Sequence, residues 1–384
     1  MRRVTRMGFL EETLAALAAA GRLREPRVIE RRAGAQIWVD GRRLINVSSN
    51  DYLGLSTHPT LAAAAATAAT ENGVGAGASR LITGNVELAA TLERALATFH
   101  AAPAARLFTS GYAANSGTIP VLVEKDDCVF SDELNHASII DGCRLSRAQV
   151  VVYRHADVDH LAELLDAHPA RRRLVVTESL FSMDGDLAPL AELRAVSAER
   201  GAMLMVDDAH AVGAIGDGRG LGWRAGADIV VGTLGKAFGV AGAYVLGSRA
   251  LVDLLWNRAR PLVFSTGLPV PVLAAALASV RLVSGPEGSR LRDRLLQNHR
   301  TLGHDGYIVP LLIGDDRRAM AAMSHLLESG LLIQAIRPPT VPEGTARLRF
   351  SITAALTDSD IRDVGSVVDR MTDEGWFVPR GTRG

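Results

Sequence analysis

Lys125 and Lys236 are the only lysines among 42 basic side chains in a chain of 384 residues; the other 40 are arginines. Arginine keeps its proton, whereas lysine can shed it and attack a carbonyl carbon, so a lysine retained against such a bias invites a chemical explanation. Lys125 sits in Glu124-Lys125-Asp126-Asp127, which reads as a solvated polar turn. Lys236 instead follows Ile229-Val230-Val231-Gly232-Thr233-Leu234-Gly235, an apolar strand running into a loop. Other strand-like runs also end in polar groups. Met203-Leu204-Met205-Val206 leads to Asp207-Asp208-Ala209-His210, Leu174 to Thr177 leads to Glu178 and Ser182, and Cys128-Val129-Phe130 leads to His136. Each alone fits a helix cap or a loop tie. Together they bring a carboxylate, imidazoles, hydroxyls and an amine to the carboxyl edge of a parallel sheet, where open α/β folds bind ligands.

One cofactor chemistry uses that whole set. Pyridoxal 5'-phosphate needs a lysine to hold its aldehyde as a Schiff base and a carboxylate facing its pyridine nitrogen, so that the ring can accept electrons. It also needs donors at its phenolic oxygen, a flat group against the ring, and amides and hydroxyls for its phosphate. Phe108-Thr109-Ser110-Gly111-Tyr112, at a strand-to-helix turn, would aim helix N-terminal amides at that phosphate. Lys236 is the expected cofactor lysine. Gly73-Val74-Gly75-Ala76-Gly77-Ala78 fits the dinucleotide fingerprint, yet it follows an alanine-rich helix rather than a strand and lacks the acidic partner further on. A flexible loop near a ligand, or a plain loop, fits it better. GxxxxGK[ST], HExxH and GxSxG do not occur. Cys128 and Cys143 form no CxxC pair, so no metal site is expected, and they read as core thiols of a reducing compartment, the cytoplasm.

These groups require a scaffold, and the composition supplies one. With 48% hydrophobic and 22% charged residues the chain can bury a large core. Acidic and basic residues balance at 42 each with no basic stripe, which argues against nucleic acid. The N-terminus has a basic head, but Glu11 and Glu12 interrupt its apolar part and Leu10, Leu14 and Leu17 fall at helical spacing, so an amphipathic helix is expected rather than a leader. The longest uncharged run, Pro261 to Val280, carries Pro261, Gly267, Pro269 and Pro271 and is not expected to span a membrane.

Asp40-Gly41 between Gln36–Val39 and Arg43–Val47 predicts a hairpin. Strands are expected at 106–109, 128–130, 150–153, 174–177, 203–206, 229–231 and 242–246, with helices between them. After residue 261 come a long Ala/Leu helix, a connection at 284–288, a helix from Ser289 to Leu302, and strands at 307–313, 332–336 and 347–352. The expected fold is α/β: a large domain (48–283) with a mainly parallel sheet flanked by helices, a smaller C-terminal α+β domain (284–384), and an N-terminal helix and hairpin segment (1–47).

The motifs resemble those of the α-oxoamine synthases, pyridoxal-phosphate enzymes with the aspartate-aminotransferase type of fold. The matching stretches are SSNDYLGLS (from Ser48), FTSGYAAN (from Phe108), NHASIIDGCRLS (from Asn135), TESLFSMDGDLAPL (from Thr177), VDDAHAVGAIGDGRG (from Val206) and TLGKAFGVAG (from Thr233). They run nearly from end to end and in order. By this resemblance Lys236 would carry the cofactor and move protons at the substrate's α-carbon, and Asp207 would pair with the pyridine nitrogen. His210 and Ser182 would contact the phenolic oxygen, and His136 would lie over the ring. Gly111, Tyr112 and Thr233 would serve the phosphate side. The family works as homodimers with sites at the interface, so Ser265 and Thr266 would reach the partner's phosphate.

Arg349 would clamp the amino-acid carboxylate, and Arg24, Asn50 and Thr340 would lie on the substrate side; from the residues alone, Arg349 reads as a surface strand charge. AIRPPTVPEGTARLR (from Ala335) most resembles members that condense L-alanine with a pimeloyl thioester, carried by coenzyme A or an acyl carrier protein. Relatives using glycine or serine, an aminotransferase on the same fold, and a non-catalytic member are the alternatives. The chain departs from the family pattern at Ala89 and Leu356, where histidine is usual, and between Leu302 and Tyr307, which is shorter by about a dozen residues than such connections usually are.

Overall fold

A computed structural model describes residues 7–378, which fall into two compact units: residues 50–297, and residues up to 49 together with those from 298 on. The basic head before Met7 lies outside the described residues. The helix Gly8–Ala19 buries none of its side chains, and Phe9, Leu10, Leu14 and Leu17 are exposed.

After that helix the second unit continues with β1 (Arg31–Ala33), β2 (Gln36–Val39) and β3 (Arg42–Asn46), an antiparallel meander. The β2–β3 turn is made by Asp40 and Gly41, both with positive φ (50° and 70°). That handedness matches the twist of the flanking strands and explains why an Asp-Gly pair marks the hairpin. Ile37, Val39 and Leu44 form a small core there, with Leu327 and Leu332 packed on it.

The large unit holds β4 (Ala104–Phe108), β5 (Cys128–Asp132), β6 (Gln149–Tyr153), β7 (Arg173–Glu178), β8 (Met203–Asp207), β9 (Ile229–Thr233) and β10 (Ala243–Gly247). Their order in the sheet is β4-β10-β9-β8-β7-β5-β6. β5 through β9 are parallel to their neighbours, whereas β10 runs antiparallel between β9 and β4. The near-continuous apolar runs follow from this placement, since a strand covered on both faces has no solvent side to alternate toward. Gly232 is required by the β10 neighbour: a Cβ there would lie 2.3 Å from the Tyr244 ring. The helix Gly111–Leu122 packs on β9 and β10, and its N-cap Ser110 accepts a hydrogen bond from the Ala113 amide. On its other side it meets the helix Ala137–Ser146.

The uncharged run from Pro261 divides into the short helix Arg260–Val263 and the longer Val270–Ser284, which packs against Pro59–Asn72 and Glu87–His100. Among the described residues no single helix is long and apolar enough to cross a membrane. The expected connection at 284–288 is mostly helix, because Pro286 opens the helix Pro286–Thr301. Proline suits a first turn, where its missing N–H costs nothing. Gly288 then lies on the carbonyl of Val283, where a Cβ would come within 2.2 Å.

The second unit closes with β11 (Ile308–Gly314), β12 (Leu331–Leu332), β13 (Ala335–Ile336) and β14 (Ala346–Ser351). The single strand expected at 332–336 is two. β12 pairs parallel with β3, and β13 joins β14 and β11 in a separate three-stranded sheet. The apolar pattern is the same in both pieces, so periodicity alone could not show the change of sheet.

Candidate active site

The large unit gathers its polar groups at the carboxyl ends of β5, β7, β8 and β9. Lys236, three residues beyond β9 and half-buried, places Nζ 2.6 Å from Nε2 of His210. The other ring nitrogen of His210, Nδ1, is 2.6 Å from the hydroxyl of the fully buried Tyr52, which in turn donates to Asn50 Oδ1 at 3.2 Å. His210 is thus gripped at both nitrogens, with its Lys236 side facing the loop after β9.

Asp207, the last residue of β8, accepts from the Ala209 amide at Oδ1 (2.9 Å) and from Asn115 Nδ2 at Oδ2 (2.6 Å). Asn115 also donates to Ser138 Oγ (2.9 Å), which lies 2.7 Å from His136 Nδ1. The His136 amide donates to Glu178 Oε1 at 2.7 Å. Burial, reinforced by Asp207, pushes the Glu178 carboxyl well above the usual carboxylate range. Burial also lowers His136, with Asp207 opposing and Lys236 assisting.

The neighbouring Asp208 has another task. Its carboxylate is buried and accepts from Ser179 Oγ and from the amides of Leu221 and Gly222, and burial raises it to about 6. Gly220 passes so close, at φ 74°, that a Cβ would sit 2.2 Å from Asp208 Oδ2. Asp208 ties down the loop after β8, leaving Asp207 for the site.

At the N-terminus of Gly111–Leu122 the backbone amides of Gly111 and Tyr112 donate to nothing among the described residues. The Tyr112 hydroxyl donates to Asp141. Thr233 Oγ1 accepts from the Gly235 amide (3.1 Å) and donates to the Gly242 carbonyl (3.2 Å). Ser182 is half-buried in the loop after β7. Ser265 and Thr266 line a small cavity with Arg80, Phe108 and Ala89, and Thr266 bridges to Ser79. Arg24, Thr340 and Arg349 belong to the second unit. Arg24 and Thr340 are exposed. Arg349, on β14, is 6% exposed and donates from Nη1 to Ser351 Oγ at 2.5 Å, so it is not a surface charge. Leu356 is buried in that unit and its carbonyl accepts from Asn298.

Tyr52 and Asn115 lie inside the recognisable motifs but carry no signal of their own, because each acts through a partner distant in sequence. His155 is a further case. Its Nδ1 lies 3.0 Å from Asp132 Oδ1 and its Nε2 2.6 Å from Asp186 Oδ2, with Phe181 packed edge-on at 4.4 Å. Asp132 ends β5 and Asp186 follows Ser182, so one imidazolium joins the end of β5 to the loop after β7. Hydrogen bonds to the two carboxylates raise His155 to about 10. A group raised from 6.5 contributes stability that is complete below its unfolded pKa and is lost as the pH climbs through about 10. His155→Gln is therefore expected to lower Tm between pH 6 and 8, with the gap from the unaltered protein closing above pH 10. A gap independent of pH in thermal scans would show that the charge does not matter.

Among the described residues no cluster of His, Cys, Asp and Glu is placed to hold a metal ion. Cys128 and Cys143 are buried and unpaired, and burial raises their thiols to about 11 and about 12, which makes them poor nucleophiles.

The aminotransferase class I and II family matches residues 42–367. The 8-amino-7-oxononanoate synthase of Geobacter metallireducens is 50% identical over 371 residues, covering 92% of this chain and 95% of that one. That of Anaeromyxobacter dehalogenans is 50% identical over 364 residues, covering 91% and 92%. Among solved structures, serine palmitoyltransferase from S. paucimobilis, with PLP and myriocin bound, superposes at a TM-score of 0.90 with 31% identity, covering 97% of this chain and 99% of that one. The 8-amino-7-oxononanoate synthase of Francisella tularensis gives 0.73 and 28%, covering 87% and 99%. The chain belongs to the class I and II aminotransferase family and, within it, to the family of the 8-amino-7-oxononanoate synthases.

Proposed function

We propose that this protein condenses L-alanine with a pimeloyl thioester, carried by coenzyme A or an acyl carrier protein, releasing carbon dioxide and forming 8-amino-7-oxononanoate for biotin synthesis. The reading is carried by the 2.6 Å contact between Lys236 and His210 on the sheet edge that also holds Asp207. The residues fit pyridoxal 5'-phosphate: one lysine amine, a carboxylate aimed by donors at both oxygens, and the open amides of Gly111 and Tyr112 at a helix N-terminus. Bound there, the cofactor supplies a ring that takes up the electron pair left at the substrate's α-carbon.

Lys236 holds the cofactor and, once freed, takes the α-proton and later returns one. Asp207 keeps the pyridine nitrogen protonated, His210 and Ser182 donate at the phenolic oxygen, and His136 covers the ring. Thr233 joins Gly111 and Tyr112 on the phosphate side. In a homodimer Ser265 and Thr266 serve the partner's site. Arg349 binds the alanine carboxylate through its planar fork, with Asn50, Thr340 and Arg24 on the substrate side.

The serine palmitoyltransferase superposition, with a TM-score of 0.90 against 0.73, favours a second reading in which serine replaces alanine. The identities weigh the other way, at 50% against 31%. The visible spectrum of the protein loaded with pyridoxal phosphate decides, when titrated with L-alanine, glycine and L-serine and then with pimeloyl thioester. A selective response to alanine and product formation with the thioester are expected. A stronger response to serine or glycine would move the substrate, and no visible band at all would remove the cofactor reading.

A further inference from the structure

The geometry points to Asn115 and Ser138 as positioning residues that fix His136 as the neutral tautomer carrying its proton on Nε2. Asn115 is 1% exposed, and its amide lies 2.6 Å from Asp207 Oδ2. Only the NH2 end tolerates that distance to a carboxylate, which settles the orientation of the amide. Its second hydrogen then points at Ser138 Oγ, 2.9 Å away. Because Ser138 Oγ accepts there, its own proton is available to His136 Nδ1 at 2.7 Å, and the Ser138 backbone N–H reaches the same nitrogen at 3.2 Å. Two donors converge on Nδ1, so Nδ1 must offer a lone pair, and the ring proton resides on Nε2.

The orientation has a cost that supports a role for it. Asn115 Oδ1 is buried without a hydrogen-bond partner, a position seldom kept unless the other end of the amide is needed where it is. Nε2 itself has no partner among the described residues, and His136 is one of the exposed side chains of the site. On the proposed reading, which this consequence rests on, His136 meets the bound substrate as a hydrogen-bond donor and not as a base. Proton removal at the α-carbon then falls to Lys236 alone. Asn115 further couples the two functions, since the amide that aims Asp207 also sets the chain ending at His136.

The test is a long-range 15N–1H spectrum at pH 7 of protein labelled at histidine nitrogen, recorded with and without pyridoxal phosphate, with His136→Gln to assign the signals. The unaltered protein is expected to show His136 with Nε2 protonated and Nδ1 bare. Ser138→Ala should shift the Nδ1 signal and lower kcat about tenfold, the size of one lost hydrogen bond, with KM for alanine little changed. Ser138→Thr, which keeps the hydroxyl, should restore both. A proton on Nδ1 in the unaltered protein, whether as the other tautomer or as imidazolium, overturns the inference, and so does an unmoved Nδ1 signal in Ser138→Ala. The cofactor-free spectrum separates this from failure of the cofactor reading, which the absence of a visible band reports by itself.

Discussion

Lys236→Ala is expected to abolish the visible absorbance of lysine-bound pyridoxal phosphate together with measurable turnover. The side chain supplies both the attachment and the base, and a positioned base alone is worth about 10² to 10⁴ in rate. The fold should survive, because Tyr52 still holds His210 at Nδ1 and the β9 strand that carries the loop is buried independently of the lysine. Lys236→Arg sharpens the point: it keeps a positive charge beside His210 but cannot shed its proton, so it should be as inactive as the alanine variant. Lys125→Ala should leave absorbance and turnover unchanged. Lys125 is exposed, and two of its neighbouring acids are already engaged, with Arg171 reaching Glu124 at 2.9 Å and Asp127 at 3.1 Å. Loss of the absorbance in the Lys125 variant alone would sink the assignment.

The strands of the large sheet could be read from sequence because burial on both faces leaves runs of Val, Ile and Leu, and the chemistry could be read from what ends each run. Lys236, Asp207, His210 and His136 stand at three such ends, with Asp207 and His210 sharing the one after β8. Their supports are a different matter. Tyr52 and His210 lie 158 positions apart, and Asn115 and Asp207 lie 92 apart. A hydrogen bond across that separation leaves no periodicity, so only the fold can pair them. Asp207 and Asp208 are adjacent and identical in type, yet strand alternation sends one to the site and the other into the buried knot with Ser179, Leu221 and Gly222. The split of 331–336 between two sheets was hidden for a related reason: pairing partners, not local propensity, decide where a short strand belongs. Arg349 shows the limit from the other side, since a charged residue on a polar-looking strand reads as exposed until the sheet that buries it is known.

The pairing at Asp207 also fixes what its replacement should do. Asp207→Asn removes the negative charge that would hold the pyridine nitrogen protonated, and it does more. The native carboxylate accepts at both oxygens, from the Ala209 amide and from Asn115 Nδ2. An asparagine offers one acceptor and one NH2, so whichever way it turns, a donor faces a donor unless Asn115 also flips. If Asn115 flips, it presents its carbonyl to Ser138 in place of an N–H, and the Ser138 hydroxyl is drawn away from His136. One substitution therefore disturbs both the electron-accepting side and the ring-covering side of the site. Turnover is expected to fall by about three orders of magnitude, the scale seen when a preorganised electrostatic partner is lost. Pyridoxal phosphate should still attach to Lys236 and give a visible band, because the attachment chemistry lies at Lys236. A variant retaining more than about a tenth of the normal kcat would mean that Asp207 does not face the ring nitrogen. The His136 15N signals of the same variant report which way Asn115 has turned.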